Sequence, residues 1–258
     1  MGTSSSYKGS TSKVSSALRD GVSSWSQSQT DGSKTPVPQS VIAQALNIPV
    51  FPRSSGGSGG GGGGAASGGG GSRQGGGSKK QSSPRRDARA YASTASRAAG
   101  LARAFREGDR EALAKAGLDF DRLSQLPSRS ELVRAILDVV CDADMGSDIP
   151  AEEQRDIAAH LLDWIFDATE NPTLPDAVAT AEHAIGLIVA EIFLSEAGEF
   201  HSTNAVSREE FISGVYETSQ QLAAGSNLAQ SGASQKDIDK AIQRGLRWLR
   251  RAHRGDGA

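Results

Sequence analysis

Cysteine is nearly missing from this chain. Cys141 is the single one among 258 residues, so no intrachain disulfide can form, which fits a reducing compartment. Long apolar runs are missing too. The longest, 184–194, is interrupted by Glu191 and is too short to span a bilayer. The N-terminus is Ser-rich and has no apolar segment of the kind that a secretory signal needs. These absences predict a soluble, cytoplasmic protein with no membrane role. Metal motifs are absent as well. His160, His183, His201 and His253 lie far apart, with no H-E-x-x-H and no Cys/His cluster. Only helix packing that brought His160 and Asp163 beside another acid would make a metal site. No catalytic constellation stands out, so no metal, no cofactor and no enzymatic activity are expected.

Two apparent motifs fail on their chemistry. Asp142, Asp144, Asp148 and Glu153 fall at positions 1, 3, 7 and 12 of a calcium loop. Gly146 then stands where a ligand belongs, and Ser147 stands where the sharp turn requires glycine. An acidic interhelical loop is the better account. Gly75-Gly76-Gly77-Ser78-Lys79-Lys80 suggests a phosphate loop, but it lacks the Gly-Lys-Ser/Thr ending and follows no strand.

Charge and small residues are present in quantity, and they divide the chain. Residues 1–90 carry 11 Lys+Arg against 3 Asp+Glu, and the remainder carries 17 against 27. The stretch 107–217 holds 24 acids and 7 bases. Basic and acidic segments on one chain invite either mutual attraction or two different partners. Fifteen of the 31 glycines fall within 56–77, and Ser dominates 3–40. Such composition buries too little apolar surface to offset backbone ordering, at about 1–2 kcal/mol per residue. The expected organisation is a disordered N-terminal arm over 1–53, a Gly/Ser linker over 54–84, and a helical domain over 85–258.

The arm has two features of its own. Val14, Leu18, Val22 and Trp25 recur at helical spacing, which makes one apolar stripe if a groove is offered. An apolar island at 36–53, bracketed by prolines, includes Ile42, Leu46, Ile48, Val50 and Phe51. Two readings stay open for it: a linear motif that binds a partner, or a segment packed on the chain's own body.

Beyond residue 84 the apolar period becomes helical. Helices are expected over 85–107, 110–116, from Ser130 as N-cap through Cys141, from Pro150 to about 168, over 175–196, from Ser207, and over 235–253. Ser207 and Glu210 have the spacing of a capping box. The run from Ile185 to Leu194 is apolar on most faces, as a central buried helix would be. The last helix is expected to place Ile238, Ile242, Leu246, Trp248 and Leu249 on one side and Arg244, Arg247, Arg250 and Arg251 on the other. No stretch has paired strands with turn chemistry. The pattern predicts an all-α bundle of about five to seven helices, preceded by the long Ser/Gly-rich arm.

The seven residues Met1-Gly2-Thr3-Ser4-Ser5-Ser6-Tyr7 carry the most specific chemistry. Removal of Met1 exposes the Gly2 α-amine, which has no Cβ beside it to obstruct acyl transfer. An α-amine titrates near 7.7–8.0, so a substantial part of it is neutral when lysine amines are not. The same residues fit the pattern of N-myristoylation, which gives a membrane-adaptor alternative. The basic arm and the basic last helix give another, a nucleic-acid-contacting adaptor.

This N-terminus, with Ala95-Ser96-Arg97-Ala98-Ala99-Gly100, Phe105-Arg106, Leu113, Gly117-Leu118-Asp119, Glu131 and Val140-Cys141 in the body, resembles the QatB family of the bacterial Qat anti-phage defence system. The resemblance covers roughly 88–258 and the extreme N-terminus. It implies a non-enzymatic protein that works with an ATPase, a QueC-like modifying enzyme and a TatD-like nuclease. It also implies that Gly2 accepts a 7-deazaguanine-type group, with Thr3, Ser4, Ser5, Ser6 and Tyr7 read by the modifying enzyme. The arm of this chain is richer in glycine and poorer in proline than the family pattern. Expected partner contacts are Ile42, Leu46, Ile48, Val50 and Phe51 in the arm, and Arg244, Arg247, Arg250 and Arg251 in the last helix.

Overall fold

The helix starts explain the architecture one element at a time. The computed structural model describes residues 10–30, 35–48, 86–141, 149–203, 205–226, 228, 232 and 234–253. Among them are ten α-helices, one 3₁₀ turn and no strand. They are α1 (Lys13–Ser28), α2 (Gln39–Ile42), the 3₁₀ turn Ala43–Asn47, α3 (Ala88–Glu107), α4 (Arg110–Lys115) and α5 (Phe120–Ser124). After these come α6 (Arg129–Val140), α7 (Ile149–Phe166), α8 (Ala177–Ala197), α9 (Arg208–Ala224) and α10 (Gln235–Ala252). Side-chain oxygens of Asp87, Asp109, Asp119, Asp176 and Ser234 each accept a backbone N–H in the first turn that follows. These bonds satisfy donors that no helical carbonyl can reach. Ser207 and Glu210 complete a reciprocal capping box. Ser128, rather than the expected Ser130, caps α6. The backbone is extended at Ser128, whereas Ser130 already lies within the helix.

The central helix is α8. It is buried along most of its length, from Ala177 through Glu196. It packs on α1, α3, α7, α9, α10 and the 3₁₀ turn. Its length and composition are those of a membrane span, but 72% of its apolar window is buried inside the bundle. Neighbouring helices therefore cover its apolar surface. α10 comes close to α8 at Gly245, where a Cβ would fall 2.4 Å from Cδ1 of Ile185.

The all-α class is as the sequence predicts, with more helices than expected because α1, α2 and α5 add to those expected beyond residue 84. The boundary of the arm moves. Residues 10–30 and 35–48 belong to the helical body rather than to an arm outside it. Leu18, Val22 and Trp25 are buried, and α1 packs on α8 and the 3₁₀ turn. Trp25 lies 5.8 Å from the ring of Phe211 and 6.3 Å from that of Phe200. Burying each of these side chains contributes about 1.5–3 kcal/mol. That burial favours order in a serine-rich helix whose average composition alone does not.

The apolar island resolves the same way. Ile42, Leu46 and Ile48 are buried in the common core. They hold the chain to its own body and are not available to a partner, which corrects their assignment as partner contacts. Val50 and Phe51 lie outside the described residues, as do Gly2 and Thr3 to Tyr7.

Candidate functional site

Ser10 and Arg86 stand at the two entrances of the chain into the bundle, and one buried ionic cluster holds both. Arg86 immediately precedes the N-cap of α3. Glu153 lies on α7, and Ser195 and Glu196 close the C-terminal end of α8. The Arg86 guanidinium donates to both oxygens of Glu153 at 2.6–3.0 Å, to Glu196 Oε1 at 2.5 Å and to Ser195 Oγ at 3.1 Å. The Tyr91 hydroxyl donates to Glu153. Glu196 Oε2 accepts the backbone N–H of Ser10 at 2.9 Å. The Ser10 carbonyl accepts from Arg19 at 2.9 Å, and Arg19 also donates to the Glu196 carbonyl. Ser10 and Ser15 hydroxyls meet at 2.9 Å.

The electrostatics follow from that geometry. Burial opposes charge on Arg86, yet the hydrogen bonds and charges of Glu153 and Glu196 hold its guanidinium above its ordinary value. Burial also opposes charge on Glu196. The Ser10 N–H and Arg86 outweigh it and hold the carboxyl below its ordinary range. Burial beside Glu153 pushes the Tyr91 phenol up. Every group of the cluster is engaged by a neighbour within the bundle. The cluster ties α3, α7, α8 and the leader together, and its chemistry is anchorage.

A second polar cluster sits on α7, α8 and α9. Tyr216 donates its hydroxyl to Glu191 and lies 3.2 Å from Nε2 of His160. Burial pushes Glu191 up to about 7. His183 stacks on Trp164 at 4.0 Å, and burial, with His160 nearby, lowers it to about 4. No group of three or more His, Cys, Asp or Glu capable of holding a metal occurs among the described residues. A groove of about 340 Å³ lies between α1 and the segment after α8, lined by Arg19, Val22, Ser26, Glu199, Phe200 and His201. Arg19 thus lines the groove and holds the Ser10 carbonyl.

The basic side chains of α10 divide. Arg244, Arg247 and Arg251 are exposed, while Arg250 is half-buried. Trp248, expected on the apolar side of the helix, is among the exposed residues instead. The structure does not bring these arginines to the leader's anchor, and they form a separate surface. No family model, curated protein or solved structure matches this chain.

Sequence reasoning missed Arg86, Glu153, Glu196, Tyr91 and Ser10. A signal existed for the acids. Glu191 and Glu196 interrupt an apolar helix, and a carboxylate there needs a buried partner. Nothing comparable marks Ser10 or Arg86, which lie in serine-rich and basic surroundings.

Proposed function

We propose that this chain is a non-enzymatic, cytoplasmic component of a bacterial anti-phage defence assembly of the Qat kind, and that its Gly2 amine is the acceptor of a 7-deazaguanine-type group. A QueC-like enzyme would perform the transfer. The amine nitrogen bonds to an activated carboxyl carbon of the deazaguanine, the bond to the activating group breaks, and the amine loses a proton. Thr3 to Tyr7 would lie along that enzyme's groove. The exposed acids within 107–217, such as Glu152, Asp156 and Asp163, and the basic last helix are the candidate surfaces for an ATPase partner, and a TatD-like nuclease completes the assembly.

One observation carries the acceptor reading beyond the resemblance. Ser10 is fully buried, and its N–H and carbonyl are both held by the bundle. Gly2 precedes Ser10 by eight positions, so even an extended chain spans at most about 28 Å. The amine is therefore tethered at one place on the body rather than at the end of a ninety-residue arm. An enzyme that reads the first seven residues must also meet the body near α1, where the groove beside Arg19 lies.

Intact-mass spectrometry of the protein co-expressed with an active QueC-like partner tests the reading. The expected result is loss of Met1 and addition of one deazaguanine-type acyl group at Gly2. Retention of Met1, or an unmodified Gly2 beside an active partner, overturns it. A myristoyl mass would replace it with the membrane-adaptor alternative.

A further inference from the structure

α10 presents a basic and aromatic stripe that no other described element covers. Its buried side is Ile238, Ala241, Ile242, Gly245, Leu246 and Leu249. On the opposite side Lys240, Arg244, Arg247, Trp248 and Arg251 fall within about 100° of arc and about 16 Å of axis. From Lys240 to Arg251 the helix has five cations and no acid. Arg244, Arg247 and Arg251 are exposed and form no ion pair or hydrogen bond among the described residues. Trp248 is 37% exposed, the one large apolar side chain so exposed among them.

Fold stability does not require this pattern. The opposite face of α10 already supplies its core contacts, and Trp248 still leaves 37% of its surface open among three unpaired guanidiniums. Guanidinium forks match phosphate oxygens bidentately, and an indole face stacks on an unpaired base. The acids of α10, Asp237 and Asp239, sit in its first turns before the stripe, and Glu152, Asp156 and Asp163 lie on the exposed side of α7. A polyanion is thus repelled from α7 and attracted to α10.

We infer that the exposed face of α10 binds single-stranded nucleic acid, with Arg244, Arg247 and Arg251 on phosphates and Trp248 stacked on a base. The inference is independent of the acceptor role of Gly2. Single strands are specified because a duplex keeps its bases stacked on one another and leaves Trp248 without a face to cover. Sequence preference is expected to be weak, since every base has a π-face.

The test uses the full chain and an oligothymidylate, with affinity measured across a salt series. The basic residues before position 90 are present in every variant, so the differences between variants report α10 alone. Each of Arg244→Gln, Arg247→Gln and Arg251→Gln is expected to lower the salt slope by about 0.7, the value for one single-strand phosphate contact. Trp248→Ala is expected to weaken binding about ten-fold with the slope unchanged. Oligonucleotide should quench tryptophan fluorescence, and Trp248→Phe should abolish the quench, because Trp25 is buried and Trp164 is stacked on His183. Unchanged helical circular dichroism in each variant separates lost binding from lost fold. Slopes that do not move overturn the inference. So does duplex binding of equal strength without a quench, or equal competition by polyglutamate, which would make α10 a surface for acidic proteins.

Discussion

Arg86 and Glu196 meet at 2.5 Å with neither side chain exposed to solvent. The pair joins the segment before α3 to the end of α8, and through Glu196 it also holds the Ser10 amide. Removing the cation leaves Glu153 and Glu196 buried without their partner. Arg86→Ala is therefore expected to lower unfolding free energy by about 3–5 kcal/mol. The neutral combination Arg86→Met with Glu153→Gln and Glu196→Gln should recover part of that loss, because no uncompensated charge remains. Urea unfolding of both variants checks this. A loss below about 1 kcal/mol in Arg86→Ala, or a combined variant weaker than the single one, contradicts a charge-based anchor.

The leader supplies a sharper contrast. Trp25 fills a site bordered by Phe200 and Phe211, so Trp25→Ala is expected to cost about 3–5 kcal/mol. Deleting residues 1–9 should leave the melting temperature unchanged, whereas deleting 1–30 should lower it by many degrees. Thermal denaturation of the two truncations decides between α1 as part of the body and α1 as an appendage.

Much of the fold is legible because burial and period act locally. Ile185 to Phe193 are apolar on most faces and become the centre. Ser207 and Glu210 stand at capping-box spacing and form the box. The stripe of Leu18, Val22 and Trp25 is equally legible. What the sequence does not reveal is where that stripe finds its groove, since α8 lies more than 150 residues away. Composition averaged over a serine-rich stretch then favours disorder over a helix that three buried apolar side chains stabilise. The ionic cluster is illegible for a related reason. Ser10, Arg86, Glu153 and Glu196 have no mutual spacing, and only the assembled bundle brings them together.

Glu191 makes stability depend on pH. Its folded value is about 7, above that of an ordinary glutamate because of burial. A raised carboxyl favours the folded state fully below the unfolded value, near 4.3, and that contribution is lost as pH rises through about 7. Glu191→Gln retains an oxygen to accept from Tyr216 and has no charge to gain. The variant is expected to match the parent near pH 4 and to exceed it by on the order of 3–4 kcal/mol at pH 8. His183 has the opposite sign, since its value is lowered to about 4. Its stabilisation is present above about 6.5 and lost as pH falls through 4. It is common to both proteins and cancels in the difference. Urea unfolding at pH 4 and pH 8 gives that difference, and a pH-independent gap between the two proteins excludes Glu191 as its source.

Placement and chemistry of the N-terminal amine can be separated by two substitutions. Gly2→Pro leaves a cyclic, hindered secondary amine. It sits eight residues before Ser10, so it is expected to abolish transfer by a QueC-like partner while leaving the melting temperature unchanged. Glu196→Gln keeps Gly2 intact but weakens the charge that holds both Arg86 and the Ser10 amide. It is expected to slow transfer to the full chain without affecting a free peptide of residues 2–9, whose rate sets the value for an untethered amine. Timed intact-mass measurements give both rates. If Glu196→Gln is modified as fast as the parent, the anchor serves stability alone and the enzyme reads only the leader. If Gly2→Pro is still modified, the acceptor lies elsewhere on the chain.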